Sequence, residues 1–169
     1  VVVDGGSYDS TLEWAERLGV RVFERPFSHN FSDQRNFSIS QLTTDWVYVH
    51  DLDERIEPTL AEIIPSLIND QRGLIERGIL PDGEEEYDCF GIPRKNFVDG
   101  IWVAPYPDYQ PRLFKNYCRF TKPVHEELVG FHHKTEVDFT RASRELGSRF
   151  NIMHYKSSSR LAEQLAYYA

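Results

Sequence analysis

Residues 45–54 read Asp45-Trp46-Val47-Tyr48-Val49-His50-Asp51-Leu52-Asp53-Glu54, an aromatic and β-branched run that ends in two carboxylates one residue apart. The run Trp46 to His50 predicts a strand, and the acids predict a loop at its carboxyl end. Sheets of parallel strands gather ligands at that end. Two carboxylates on such a loop can reach one hard divalent cation, and without one they would repel at close range. A calcium loop is excluded: counting from Asp51, the fifth and sixth positions are Arg55 and Ile56, where an acidic or amide ligand and a glycine are required.

Working toward the amino end, Val1-Val2-Val3 followed by Asp4-Gly5-Gly6 predicts a buried strand entering a tight turn. A helix follows, with Ser10 and Glu13 spaced as a capping box, Leu12, Ala15 and Leu18 on one face, and Gly19 as its stop. Val20 to Phe23 predicts a second strand, and Ser32 to Leu42 a second helix with Phe37 and Leu42 inward. After the acidic pair, Pro58 suits a first helical position, and Leu60, Ile63, Ile64, Leu67 and Ile68 keep helical spacing, with Pro65 expected to kink or split the helix. Alternating strands and helices predict an α/β fold, a mostly parallel sheet covered by helices. Asp4 and the Asp51/Asp53 pair both fall at carboxyl ends of strands and are expected to converge.

The second half reads differently. Gly78 to Tyr87 predicts an exposed loop, with Glu84-Glu85-Glu86 a solvated charge run. Strands are predicted around Phe90–Pro93 and Arg112–Phe114, with an aromatic and proline-rich loop between them. A short strand near Phe150–His154 and a helix from about Ser158, capped by the serines at 157–159, close the chain.

The whole chain has 169 residues, 40% hydrophobic and 27% charged, which suits one ordinary globular domain. Its 19 Lys+Arg against 27 Asp+Glu leave a net charge of -8, which argues against a nucleic-acid binder. Cys89 and Cys118 alone build neither a disulfide framework nor a cysteine zinc site, and two free thiols fit a reducing compartment. No apolar run approaches a membrane span. His132-His133 has no ligand-spaced partner, and Gly5-Gly6 lacks the rest of any phosphate-binding loop.

Three blocks together, residues 1–11 (Val-Val-Val-Asp-Gly-Gly-Ser-Tyr-Asp-Ser-Thr), 31–37 (Phe-Ser-Asp-Gln-Arg-Asn-Phe) and 45–54, resemble in order and spacing the family-2 glycosyltransferases of GT-A fold. Tyr109 to Asn116, Val124-His125-Glu126 and His154 resemble later blocks of one branch. The resemblance implies a metal-dependent, inverting transfer of a sugar from a nucleoside-diphosphate donor, UDP-linked, to an acceptor hydroxyl. Asp4 would accept a hydrogen bond from the base, and Arg35 would face the diphosphate, with Asp51 and Arg112 also on the nucleotide sugar. Asp51 and Asp53 match the DxD motif and would bind Mn²⁺ or Mg²⁺ with His154 as a further ligand. Glu126 would be the general base, ahead of Glu127 and Asp108, and Trp102 and Tyr106 would line the acceptor cleft. The acceptor would be a glycan, a lipid-linked intermediate or a protein.

The family's first strand and helix have no counterpart here, and the only Met is Met153. The expectation is therefore one N-terminally truncated domain, residues 1–75 its nucleotide-sugar half and 76–169 its acceptor-side half and C-terminal helix. An upstream segment or a partner chain would then supply the missing strand. The same observation keeps open a non-catalytic sugar- or nucleotide-binding module of this fold. A nucleotidyltransferase is disfavoured, because no glycine-rich loop with a basic residue lies near the first strand. Cytoplasmic action, at most membrane-peripheral, is the expectation.

Overall fold

The computed structural model describes residues 1–83, 86–137 and 151–162. Its elements run β1 (Val2–Asp4), α1 (Thr11–Arg17), β2 (Val22–Glu24), α2 (Phe31–Ser40), β3 (Trp46–Tyr48), β4 (Glu54–Ile56), α3 (Pro58–Asn69), α4 (Gln71–Glu76), β5 (Cys89–Val98), β6 (Ile101–Lys115), β7 (Arg119–Thr121), β8 (Glu127–Val129), β9 (Lys134–Glu136) and β10 (Ile152–Lys156). The chain packs as two units, Val1–Val47 with Lys115–Gly130, and Tyr48–Phe114 with Phe131 onward. The sequence reading placed a division near residue 75.

In the first unit β1 and β2 pair in parallel, Val2 opposite Val22 and Asp4 opposite Glu24. The helix α1 starts after Ser10, whose side chain makes no capping bond. The expected capping box is not formed. Asp9 instead accepts from the Thr11 amide and hydroxyl, and Glu13 turns to Arg17 at i+4. Gly19 ends the helix as predicted, in the left-handed conformation at φ 66°. The Asn30 side chain caps α2 by accepting from the Asp33 amide. Ile39, fully buried, is the inward residue of α2, while Phe37 is half-buried and meets Phe23 edge-on. Asn36 ties α2 to β7 by bonding both the N–H and the C=O of Phe120.

The second unit is built on a mixed sheet in the order β6-β5-β10-β4, with β9 also paired to β5. The pairs β10–β5 and β5–β9 are parallel; β5–β6 and β10–β4 are antiparallel. The α/β class holds, with both pairing senses in this sheet. The strand β4 was not foreseen, because Glu54-Arg55-Ile56 is too short and polar to read as one. The predicted proline-rich loop is largely the strand β6. Arg94 pairs with Asp108 and Asn96 with Val103, so Ala104 to Pro107 bulge out opposite the single residue Lys95. Pro105 and Pro107, which cannot donate to a ladder, sit in that bulge and leave the flanking pairing intact. The helix α3 does not split at Pro65; it continues to Asn69 and ends at Asp70, which then caps α4 by accepting from the Gly73 amide. Leu60, Leu67, Leu74, Phe90, Ile92, Leu113, Phe114 and Ile152 are among this unit's buried apolar residues.

Ser157 accepts from the Arg160 amide and starts the predicted last helix, most of which lies outside the described residues, as do Glu84 and Glu85. Among the described residues, no helix is long and apolar enough to cross a membrane.

Candidate functional site

Strand alternation sorts the second unit's residues onto two faces. Glu54 of β4 lies opposite His154 of β10, which lies opposite Asn96 of β5, so the three form one polar row. One residue on, Tyr155 lies opposite Phe97 and Phe97 opposite Trp102, an aromatic row on the other face. Phe97 and Tyr155 stack at 5.1 Å, and Trp102 meets Tyr106 edge-on at 5.9 Å. Trp102, Tyr106 and Tyr155 are all exposed, and Lys95 lies 5.3 Å over the Tyr106 ring. The Tyr106 hydroxyl donates to the Asn151 side chain at 2.7 Å, fixing that ring.

The Asp51–Asp53 loop is held at its start and its end. The Val49 amide donates to the Arg112 carbonyl, and the Tyr155 amide to the Asp53 carbonyl. Within it, the Glu54 amide donates to the Asp51 carbonyl and the Asp51 amide to Glu54 Oε2. The two carboxylates are thereby sent to different partners. Asp51 Oδ2 accepts from Arg112 Nη2 at 2.7 Å, while Asp53 Oδ2 faces His154 Nε2 at 3.4 Å. Burial opposes the ionised form of Asp53, but the His154 bond and charge outweigh it and hold its carboxyl below the usual range. Among the described residues, no three His, Cys, Asp or Glu side chains gather as a ready cation cage.

Behind the loop lies a buried charge network. Glu54, fully buried, accepts from Arg112 Nη2 at 2.5 Å and from Arg94 Nη1 at 3.4 Å. Arg112 is 4% exposed, and its Nε is unpaired among the described residues, as is the Tyr48 hydroxyl. Burial, and then the Glu54 charge, push the Tyr48 phenol far above its usual range. Arg94 also reaches Asp108 Oδ2 through Nε at 3.0 Å and Nη2 at 2.7 Å. Burial works against ionised Asp108, yet bonds from Asn96, Arg94 and Gln110 hold its carboxyl below the usual range.

In the first unit, Asp4 ends β1 and is enclosed by its own turn. Oδ2 accepts from the Gly6 and Ser7 amides at 2.9 Å each, and Oδ1 from the Ser7 hydroxyl at 2.5 Å. The turn needs φ 116° at Gly6, a conformation open to glycine. The Ser7 hydroxyl, followed by its amide, holds the Asp4 carboxyl low. Arg35 of α2 donates from Nε to Glu126 Oε1 at 3.0 Å, and both side chains are largely buried. Neighbouring Glu127 pairs with Lys122 on the surface.

Of the residues expected from sequence, the structure joins Asp53 with His154, Asp51 with Arg112, Arg35 with Glu126 and Trp102 with Tyr106. Asp4, Arg35 and Glu126 belong to the first unit and the others to the second. Sequence reasoning missed Glu54, Arg94 and Asn96. Alternation gave no signal for the last two, because Lys95 makes Arg94-Lys95-Asn96 a continuous polar run.

The family model for glycosyl transferase family 2 matches residues 1–117. The chain is 30% identical over 128 residues to a TPR repeat-containing protein of Synechococcus elongatus, 75% of this chain and 28% of that one. It is 24% identical over 131 residues to an uncharacterized glycosyltransferase of Rickettsia conorii, 78% of this chain and 40% of that one. It thus spans less than half the length of these curated relatives. Among solved structures, S. aureus TarS 1–349 in complex with UDP-GlcNAc matches with a TM-score of 0.48 and 18% identity, over 93% of this chain and 48% of that one.

Proposed function

The chain belongs to glycosyl transferase family 2, and from that premise we propose that it moves a sugar from a UDP-linked donor to an acceptor hydroxyl with inversion at the anomeric carbon. The observation that carries this reading is the pair of facing atoms Asp53 Oδ2 and His154 Nε2, 3.4 Å apart beside the start of β4. Two ligands at right angles on an ion with bonds of about 2.1 Å stand roughly 3 Å apart, so this separation fits a shared divalent cation. A carboxylate with an imidazole suits Mn²⁺, and Mg²⁺ is the alternative. Asp53 and His154 would hold the ion. When bound, the cation supplies positive charge against the charge that grows on the departing diphosphate.

The chain's own residues do the rest. Arg112, too buried to meet solvent, acts on the donor through Asp51, whose carboxylate it directs. Asp4, with lone pairs beyond those its turn uses, accepts a hydrogen bond from the base, and Arg35 faces the diphosphate. Glu126, directed by Arg35, accepts the acceptor's proton as the new C–O bond forms and the sugar–phosphate bond breaks. Trp102 and Tyr106 offer apolar ring faces to the acceptor sugar, whether it is carried on a glycan, a lipid or a protein.

Thermal unfolding with UDP, with and without Mn²⁺, tests the reading. Ligand at 100 times its Kd adds about 2.7 kcal/mol, which raises the midpoint of a chain this size by roughly 5–10 °C. Asp53→Ala is expected to remove the metal-dependent part. No shift with any nucleoside diphosphate, with either metal, would overturn it. In a transfer assay Glu126→Gln is expected to lower kcat by roughly 10²–10⁴-fold. Binding without turnover, indifferent to that substitution, would instead identify a binding module.

A further inference from the structure

We infer that Ser32 of α2 is a positioning residue, which holds the loop between β7 and β8 in left-handed backbone so that Glu126, and not its neighbour Glu127, faces Arg35. The inference rests on the proposed role of Glu126 for its purpose, though part of its test is independent of that role. Residues three and four apart share a helix face, and Ser32, Arg35 and Asn36 are one such set on α2. Each grips a different point of the hairpin. Asn36 holds the N–H and the C=O of Phe120 in β7, at 2.8 Å each. The Ser32 hydroxyl donates to the Lys122 carbonyl at 2.5 Å, and Arg35 Nε donates to Glu126 Oε1 at 3.0 Å. The Phe31 amide, in the first turn and so without a partner inside the helix, donates to the Pro123 carbonyl at 2.9 Å.

The loop runs from Lys122 to Glu126, because Thr121 already pairs with Glu127 in the hairpin register. Lys122 at φ 69° and His125 at φ 53° are both left-handed, which is costly for a residue with a Cβ. Lys122 also precedes Pro123, and a residue before proline favours extended backbone. The bonds from Ser32 and Phe31 fix two successive carbonyls, of Lys122 and Pro123, and so oppose that relaxation. The turn decides which acid goes inward. Glu127 is exposed and pairs with Lys122 on the surface. Glu126, one residue earlier and directly after the left-handed His125, is largely buried against Arg35. Ser32 is 5% exposed, too buried to meet a substrate, so its effect on turnover passes through the loop.

The experiment uses the full chain with ¹⁵N-labelled arginine. The Arg35 Nε–H signal, identified as the one missing in Arg35→Lys, is expected to exchange slowly with water in the unsubstituted protein. Ser32→Ala is expected to speed that exchange by roughly 2–10-fold, the effect of one lost hydrogen bond. In a transfer assay it is expected to lower kcat by roughly 10–100-fold with the donor KM unchanged, because the base is misplaced while the donor's contacts remain. Adding Lys122→Gly to Ser32→Ala is expected to restore part of both, since glycine adopts positive φ without the bond. Adding Lys122→Ala, which loses the same surface pair but keeps a Cβ, is expected to restore neither. Fast exchange of Arg35 Nε–H in the unsubstituted protein overturns the inference, even if Ser32→Ala fails to fold. Exchange and kcat both unmoved by Ser32→Ala overturn it as well, and so does a loss that Lys122→Gly and Lys122→Ala restore equally or not at all. If exchange responds as expected while kcat holds, the reading of Glu126 as the base falls and the positioning role stands.

Discussion

Asp4 and Asp53 are both carboxylates at strand ends, and both are held ionised, but the chain secures them by opposite means. Asp4 is closed in by Gly6 and Ser7, partners two and three residues away. The Asp51–Asp53 loop depends on Arg112 and His154, which reach it from 61 and 101 residues further along the chain. The first arrangement forms wherever the turn forms. The second exists only when β4, β5, β6 and β10 have assembled, since each contributes a member. Local closure should fail locally, and cross-strand closure should fail as a unit.

The sharpest way to break that contrast is Glu54→Ala. The substitution leaves Arg112 without its 2.5 Å partner and Arg94 without one of two. Removing one member of a buried ion pair costs about 3–5 kcal/mol, because the charge left behind stays desolvated. For a chain of this length the unfolding midpoint should drop by roughly 6–20 °C. Calorimetry or denaturant titration decides it. A loss as small as that of a surface substitution would mean that the network does not hold the sheet together.

A second, smaller effect is set by Asp108. Its folded carboxyl titrates below its unfolded value, so its contribution to stability is complete above about pH 4. That contribution is lost as pH falls through the lower folded value. Unfolding midpoints measured from pH 6 down to pH 2.5 should therefore fall less steeply in Asp108→Asn than in the unsubstituted protein, with the curves parallel above about pH 5. Curves parallel throughout would show that Arg94 and Asn96 do not favour the ionised form.

The same contrast explains what could be read from the sequence. The strands around Asp4 and before Asp51, the stop at Gly19 and the helix from Pro58 are written in neighbouring residues, and all four are present. So is the pairing of acids with a strand end. Partners that arrive across strands left no local mark. Glu54 read as one more loop acid, yet register sets it opposite His154 and buries it completely. Asp108 sat in a segment whose prolines suggested a loop, because the bulge that removes Pro105 and Pro107 from the ladder is a property of the paired strands. Ser10 and Glu13 had the spacing of a capping box, but Asp9 accepts from the Thr11 amide and hydroxyl, and Glu13 accepts from Arg17. Local rules thus found the elements and some of the acids, whereas register decided which acids could work together.

The smallest expected effect probes the local side alone. Ser7→Ala deletes the 2.5 Å bond that contributes most to the low titration of Asp4, and spares the two amide bonds to the other oxygen. Carboxyl-carbon NMR should show Asp4 titrating at higher pH than in the unsubstituted protein, while still below an unperturbed aspartate. Ser7 is exposed, and the turn keeps its glycine, so global stability should change by no more than about 0.5 kcal/mol. The amides of Gly6 and Ser7 should exchange faster while those of β5 and β10 do not. If the strand amides of the second unit responded as well, the Asp4 turn would be coupled to the cross-strand network and the distinction between the two kinds of closure would be lost. A response confined to residues near Ser7 would show that this carboxylate is held ready by its own turn.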